Sequence, residues 1–303
     1  MTAPPALFDR RLHRQRLARA ASGFAKADFL RTSAAADLVS RLQSIGRDFP
    51  VAVDLGARNG AFARALATAE ATGKVGFLAQ TDLTAAMLAG RPGARLVADE
   101  ERLPLAEASV DLIVSALALH WTNDLVGTLI QIRRALKPDG LFLGSLFGGV
   151  TLTELRQALL EAEAELKGGA GPRVSPFADA SDMGALLQRA GFALPVVDVD
   201  RFTVRYGHPL ALMADLRAMG ETSVLVERPN ANLTRAVLAR AGEIYLERFA
   251  ANGRIAATFE IVTLTGWAPH PAQPRPLKPG SAKMRLADAL GQIERPAGDR
   301  AKP

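Results

Sequence analysis

The sequence predicts a doubly wound α/β fold: one mostly parallel, seven-stranded sheet covered by helices on both faces. Three observations predict it. From Pro50 onward, short continuous apolar runs alternate with segments of helical period, the pattern of parallel strands buried on both sides. At VAVDLGARNG, residues 51–60, an apolar run ending in an acid enters a glycine turn and then a helix. That is the local form in which such folds bring backbone N–H groups to a nucleotide-like ligand. Two further acids, Asp82 and Asp99, close the next two runs, so polar groups collect at the carboxyl edge of the sheet.

The elements follow in order. Residues 1–45 read as a basic helical extension with Leu7, Phe8, Leu12 and Leu17 as a docking stripe under a solvated face. PVAVDLG at 50–56 is the first strand, and AFARALATAEAT at 61–72 is its helix, with Phe62, Leu66 and Ala69 on one side. VGFLAQTD at 75–82 is the second strand, followed by the short helix TAAMLAG at 84–90. ARLVAD at 94–99 is the third and VDLIVSALALHW at 110–121 the fourth. A helix over 124–136 places Leu125, Leu129, Ile132 and Leu136 at helical spacing, and the turn KPDG at 137–140 stops it before LFLGSLF.

Residues 151–190 read as helical around a loop at 168–176, and 195–206 as one long or two broken strands. Residues 209–250 are helical apart from a break at 229–232, and ATFEIVTLTGW at 257–267 alternates as an antiparallel edge partner does. Prolines at 269, 271, 274, 276 and 279 make 269–303 an extended, basic tail. The predicted domain spans 46–268, without internal repeats.

Composition excludes several functions. The 303 residues, 49% hydrophobic and 22% charged, can bury a full core. With no cysteine there is no disulfide, thiolate metal site, iron–sulfur cluster or cysteine nucleophile. The four histidines, His13, His120, His208 and His270, lack ligand spacing, so no metal is expected. The net charge of +6 arises at the ends: residues 1–31 hold seven Lys/Arg against two acids, and 271–303 hold seven against three. Between them 23 basic residues meet 26 acidic ones, and no aromatic residues interleave with the basic ends, which argues against nucleic acid. No apolar run approaches the roughly 18 residues of a membrane span, which leaves at most peripheral membrane association. The Arg-rich start could pass for a targeting presequence, but Asp9 and Asp28 within it favour a helix of the domain itself.

Each site residue carries a competing structural reading. Asp54 and Gly56 open the ligand turn, or a helix-capping turn with no ligand. Asp82 would accept ribose hydroxyls, or cap the following helix. Asp99 would meet an adenine amino group, or sit as a solvated loop acid. His120, after the fourth strand, would be a general base, or pack the pocket wall with Trp121. Phe202, Tyr206 and Phe259 read as core or lid residues.

The turn is similar to the D-x-G-x-G-x-G of S-adenosylmethionine (SAM) methyltransferases: Asp54, Gly56 and Gly60 match, while Arg58 stands at the middle glycine. That side chain could occupy ligand volume, pair with the carboxylate of SAM, or turn to solvent; an outward Arg58 with weak cofactor binding is the expectation.

Residues 98–156, with LHWTND and KPDG, together with LFDRRLHRQR, SPFADASDMGALLQRAGF, LMADLRAMGE and PRPLKPGSA, resemble one family over about residues 7–290. It is the methyltransferase-fold assembly factors of respiratory complex I, whose mitochondrial member is a protein arginine hydroxylase. The resemblance implies a Rossmann-like class I methyltransferase fold. It implies SAM held through the turn at 54–60, Asp82 and Asp99; the candidate cofactor set is Asp54, Gly56, Ala57, Arg58, Gly60, Asp82, Leu83, Asp99, Glu100 and Ser115, and His120 is the candidate catalytic residue from its place after the fourth strand. It also implies a protein partner, an iron–sulfur subunit of complex I modified on an arginine. Hydroxylation follows from the family and methyl transfer from the site's chemistry. Two alternatives stay open: a carboxyl O-methyltransferase of malonyl-carrier protein in biotin synthesis, and a non-catalytic assembly chaperone. The Ala- and Arg-rich usage, with the family pattern starting six residues after Met1, gives the expectation of a bacterial cytoplasmic protein.

Overall fold

A computed structural model of the chain describes residues 6–229 and 233–273, together with 288 and 291. Two helices, α1 (Arg10–Ala20) and α2 (Phe29–Ser44), precede the first strand β1 (Phe49–Leu55). Then come α3 (Ala61–Thr68), β2 (Val75–Asp82), α4 (Ala85–Leu88), β3 (Ala94–Val97), β4 (Val110–Ala116) and α5 (Leu125–Ala135). The second half runs β5 (Leu136–Phe147), α6 (Thr153–Lys167), α7 (Ala180–Arg189), β6 (Ala193–Tyr206), α8 (Pro209–Ala218), α9 (Arg235–Phe249), β7 (Ala250–Ala251) and β8 (Arg254–Trp267).

The sheet order is β3-β2-β1-β4-β5-β8-β6, with β7 paired to β8. The first five strands are parallel, and β8 runs antiparallel to both β5 and β6. The doubly wound parallel core thus follows the expectation, with eight strands instead of seven because two residues after α9 pair as β7. The alternating strand β8 lies inside the sheet, and β6 takes the edge. Residues 195–206 belong to one continuous strand.

Several boundaries differ for local reasons: β4 stops at Ala116, and α8 stops at Ala218, before Gly220 with its left-handed φ of 75°, so 219–228 is not helical as expected. The α3 helix ends at Thr68 because Glu70 adopts a left-handed φ of 52°, a stop that apolar spacing cannot reveal. The KPDG segment is not a turn before a strand. Val110 pairs with Leu136 and Leu112 with Leu141, so the four residues bulge within β5, held by Lys137 Nζ at 3.0 Å from Asp111.

Central strands bury both faces: every residue of β4 is buried, as continuous apolar runs in parallel sheets require. One face carries Ala35, Leu38, Leu42 and Phe62 from α2 and α3 against Leu112, Val114 and Leu143. The other packs Leu129, Ile132, Met183 and Leu187 against Ile113, Phe142 and Val262. A third cluster seats α6, α8 and α9 on β8, with Tyr206 and Phe259 in it and Phe202 packed against it. Residues Met1–Pro269 form one compact unit and His270–Pro303 a second. Most of the proline-rich tail, including PRPLKPGSA, lies outside the described residues.

Candidate functional site

Strand order reverses between β1 and β4, so their carboxyl ends open a crevice, and the glycine turn lies there. Gly56 and Gly60 take φ of 65° and 70°, and a Cβ on Gly56 would collide with that of Ala118. Ala57 N–H donates to Thr81 O at 2.8 Å, tying the turn to β2. From α2 the buried Arg31 donates to Gly56 O (3.3 Å), Ala116 O and Leu117 O. Burial and the neighbouring Arg58 push its guanidinium down to about 10, so it stays cationic at neutral pH and clamps turn to strand. Asp54 is buried, and among the described residues neither of its carboxylate oxygens has a hydrogen-bond partner. Burial pushes it up to about 7, against the pull of Arg31.

Arg58 corrects the expectation of an outward side chain. It is fully buried, and its Nη1 donates to Asp82 Oδ2 at 2.8 Å and Glu100 Oε1 at 3.4 Å. Its backbone N–H also reaches Asp82 Oδ2, at 3.0 Å. The cause is electrostatic: burial works against the cation, but the Asp82 and Glu100 carboxylates outweigh it and hold Arg58 above its ordinary range. Nε and Nη2 remain buried without partners. Asp82 does not cap the next helix; Thr84 does, and Asp82 Oδ1 accepts Thr84 N–H at 3.2 Å.

The basic N-terminal helix is corrected as well. Arg10 points inward from α1, its Nη2 donating to Asp99 at 2.5 Å and to Glu100, while Nη1 donates to Trp121 O at 3.1 Å. Asp99 is therefore a paired acid and not a solvated one. His13 and Leu17 are fully buried, and Leu17 joins Ala20 and Phe24 against Leu83 and Met87. Burying Leu17 alone contributes about 2 kcal/mol. Phe8 packs against Trp121, whereas Leu7 is exposed. Burial and the facing Arg58 and Arg10 guanidiniums lower His13 well below its ordinary range, so it is neutral.

His120 Nε2 lies 3.0 Å from Glu221 Oε2, which also accepts Trp121 Nε1–H at 2.8 Å. His120 Nδ1 is buried and has no partner among the described residues, the ring packed beside Phe147 and Phe177. Burial works to raise Glu221, yet His120, Arg31 and Arg58 hold it below the ordinary range. Next to Glu221 opens a cavity of about 360 Å³ walled by Phe147, Leu155, Leu159, Leu216 and Phe259.

The structure therefore joins Asp54, Gly56, Ala57, Arg58, Gly60, Asp82, Asp99 and Glu100 around one turn, with Leu83 in the packing beside them. Ser115 does not join them: its Oγ donates to Leu55 O at 3.0 Å, binding β4 to β1 inside the sheet. Sequence reasoning missed Arg10, Arg31 and Glu221. Arg10 continues the spacing of His13, Leu17 and Ala20 on the buried stripe of α1, and Arg31 sits among buried Leu30, Ala34 and Ala35. Glu221 follows the end of α8 with no periodic signal.

A glycine turn between β1 and α3 at the switch point, flanked by strand-ending acids, defines an enzyme of the class I methyltransferase superfamily. Residues 53–144 match the methyltransferase domain family. Two solved folds agree: a methyltransferase candidate from Bacillus halodurans C-125 (TM-score 0.53, 15% identity, 77% of this chain and 99% of that one) and YcgJ from Bacillus subtilis (0.51, 16%, 77% and 98%). The mitochondrial arginine-hydroxylase NDUFAF5 of Rattus norvegicus is 41% identical over 95% of this chain and 85% of its own, and that of Danio rerio 39% over 95% and 91%. The chain belongs to the NDUFAF5 arginine-hydroxylase family. A malonyl-[acyl-carrier protein] O-methyltransferase of Methylovorus is more distant, 32% identical over 97% of each chain. The expected bacterial cytoplasmic location is corrected, because the NDUFAF5 relatives of Rattus norvegicus, Danio rerio and Homo sapiens are mitochondrial proteins.

Proposed function

We infer that the chain modifies an arginine side chain of a protein partner, an iron–sulfur subunit of respiratory complex I, during assembly of that complex. The observation that carries this reading is the His120–Glu221 pair. A carboxylate fixes the ring through Nε2, and Nδ1 is left buried without a partner, able to take a proton beside the cavity.

A cofactor of the SAM type, which supplies an electrophilic methyl group when bound, fits this turn at one end. Asp54, with two bare oxygens, suits the ammonium of its aminoacyl end, and the turn glycines leave backbone room. The nucleoside end does not fit the site as arranged. Arg58 holds Asp82, and Arg10 holds Asp99 and Glu100, the acids expected at ribose and purine. What the chain's own residues do is position: Arg31 fixes the turn, Trp121 and His120 fix Glu221, and α1 shields the site from water.

Methyl transfer to a malonyl group on a carrier protein is the second reading, favoured by Arg173, Arg217 and Arg228 around the cavity. The Glu221 carboxylate weighs against it, since a malonyl carboxylate would meet a like charge in low dielectric.

The test is to delete the gene and weigh the arginine-containing peptides of the complex I iron–sulfur subunit. Loss of one oxygen atom identifies hydroxylation, which draws dioxygen and two electrons from outside the chain. Loss of a methyl group identifies methyl transfer. An arginine mass that is the same with and without the gene, together with failed assembly, identifies a chaperone, and biotin auxotrophy with intact complex I the carrier-protein reading.

A further inference from the structure

The cavity beside Glu221 is not part of the glycine turn, and its wall chemistry is specific. Phe147, Leu155, Leu159, Leu216 and Phe259 give an apolar sleeve of about 360 Å³, a volume that admits an aliphatic stem. One carboxylate, that of Glu221, meets this sleeve, its side chain only 8% exposed. Both of its bonds, from His120 and Trp121, fall on Oε2, and among the described residues Oε1 accepts none. Arg31 and Arg58 hold this carboxylate ionised from the glycine-turn side, so its bare Oε1 presents a charged acceptor to a cation that enters the sleeve. Trp121 and Phe147 add aromatic surface on which a planar cation stacks. The same carboxylate lines a narrow crevice with Arg31 and Leu117 on the glycine-turn side, so a group held there lies between cavity and turn.

The mouth has the opposite sign. Arg16, Arg173, Arg217 and Arg228 also line the cavity. Arg173 is paired with Glu163 at 2.7 Å and Arg16 bonds to Thr222 and Ser223 O, while Arg217 is exposed. An isolated cation is repelled at such a rim, and a cationic side chain flanked by carboxylates is drawn in.

We propose that this cavity is the subsite for a substrate arginine side chain, with Glu221 as its guanidinium-binding, specificity-determining residue and the arginine rim as the dock for acidic residues flanking that arginine. The proposal rests on the arginine-modifying reading and names the residues that would select its substrate.

The test is a fluorescence titration of the full chain, with Trp121 in the cavity wall as reporter, using acetyl-Glu-Arg-Glu-amide. The controls are the same peptide with citrulline for arginine, acetyl-Gly-Arg-Gly-amide, and malonyl-pantetheine. The arginine peptide is expected to bind at least tenfold tighter than its citrulline twin and tighter than the glycine-flanked one. Glu221→Gln should erase the first preference, and Arg217→Glu should diminish the second. Leu155→Trp, which fills the sleeve without touching Glu221, should abolish binding and serves as the check if Glu221→Gln fails to fold. Equal affinity for arginine and citrulline, a preference surviving in Glu221→Gln, or tighter malonyl-pantetheine binding would overturn the subsite. The reaction itself is read separately, by the mass of the partner's arginine: a normal modification with no peptide preference removes the subsite and leaves the reading in place.

Discussion

Arg58 Nη1 lies 2.8 Å from Asp82 Oδ2, and both side chains are completely buried. The residue that replaces the middle glycine of the turn thus neutralises the acid that closes β2, where ribose hydroxyls are expected. A buried pair of this kind is weak evidence for stability, because desolvation cancels most of the attraction, but removing one partner leaves a buried charge uncompensated. The pair acts as an internal competitor: ligand and guanidinium cannot both saturate Asp82.

Arg58→Gly separates these effects. Without ligand, Asp82 loses its partner and the variant should be about 3–5 kcal/mol less stable in thermal or urea unfolding. With the guanidinium gone, SAM affinity should rise at least tenfold, or about 1.4 kcal/mol, by calorimetry. Unchanged or weaker binding by folded Arg58→Gly would mean that Arg58 does not compete.

Arg10 closes the other acids from α1. Arg10→Met keeps the aliphatic stem and removes the bonds to Asp99, Glu100 and Trp121 O, each charge-assisted bond worth about 1.5–3 kcal/mol. Amides of α1 should then exchange with solvent at least tenfold faster while those of β4 stay protected. Equal protection of α1 in both proteins would show that Leu17 and Phe8 alone hold the helix.

The parallel core was legible because buried strands leave continuous apolar runs; β1 and β2 stand close to where period and turn chemistry put them, while β4 starts as expected but stops at Ala116, because the apolar run continues into the buried turn Leu119–Trp121. Asp54, Gly56 and Gly60 were legible because a tight turn at a strand end needs those residue types. Arg58 was not, since the direction of a long side chain depends on charges that only folding assembles: Glu100 is 42 residues away and Asp82 is 24. The same holds for Arg10, counted as part of a solvated basic end although three acids from the loop after β3 surround it. Glu221 meets His120 across 101 residues, a pairing that no local spacing announces.

Asp54 predicts a pH signature. Its pKa of about 7 in the fold exceeds the unfolded value of about 4, so the folded state binds the extra proton between them. Its contribution is fully present below about pH 4 and is lost as pH rises through 7, by up to about 4 kcal/mol. Asp54→Asn should therefore gain stability over the native chain progressively from pH 4 to 7 and hold that gain above it. Melting temperatures of both proteins across this range give the difference, which cancels the opposite contribution of His13, whose lowered pKa costs stability as pH falls below about 6.5. A flat difference curve would place a cation against Asp54.

His120 is the residue whose two readings divide most sharply. As a wall residue it packs against Phe147 and Trp121 and satisfies Glu221; as a proton acceptor it works through Nδ1. His120→Gln preserves much of the volume and still offers Glu221 an N–H, so its stability should change by no more than about 1 kcal/mol. A positioned base contributes about 10²–10⁴ in rate, so modification of the isolated iron–sulfur subunit by purified chain should fall by that factor. A loss below tenfold would make His120 a packing residue and move the proton to a group on the partner.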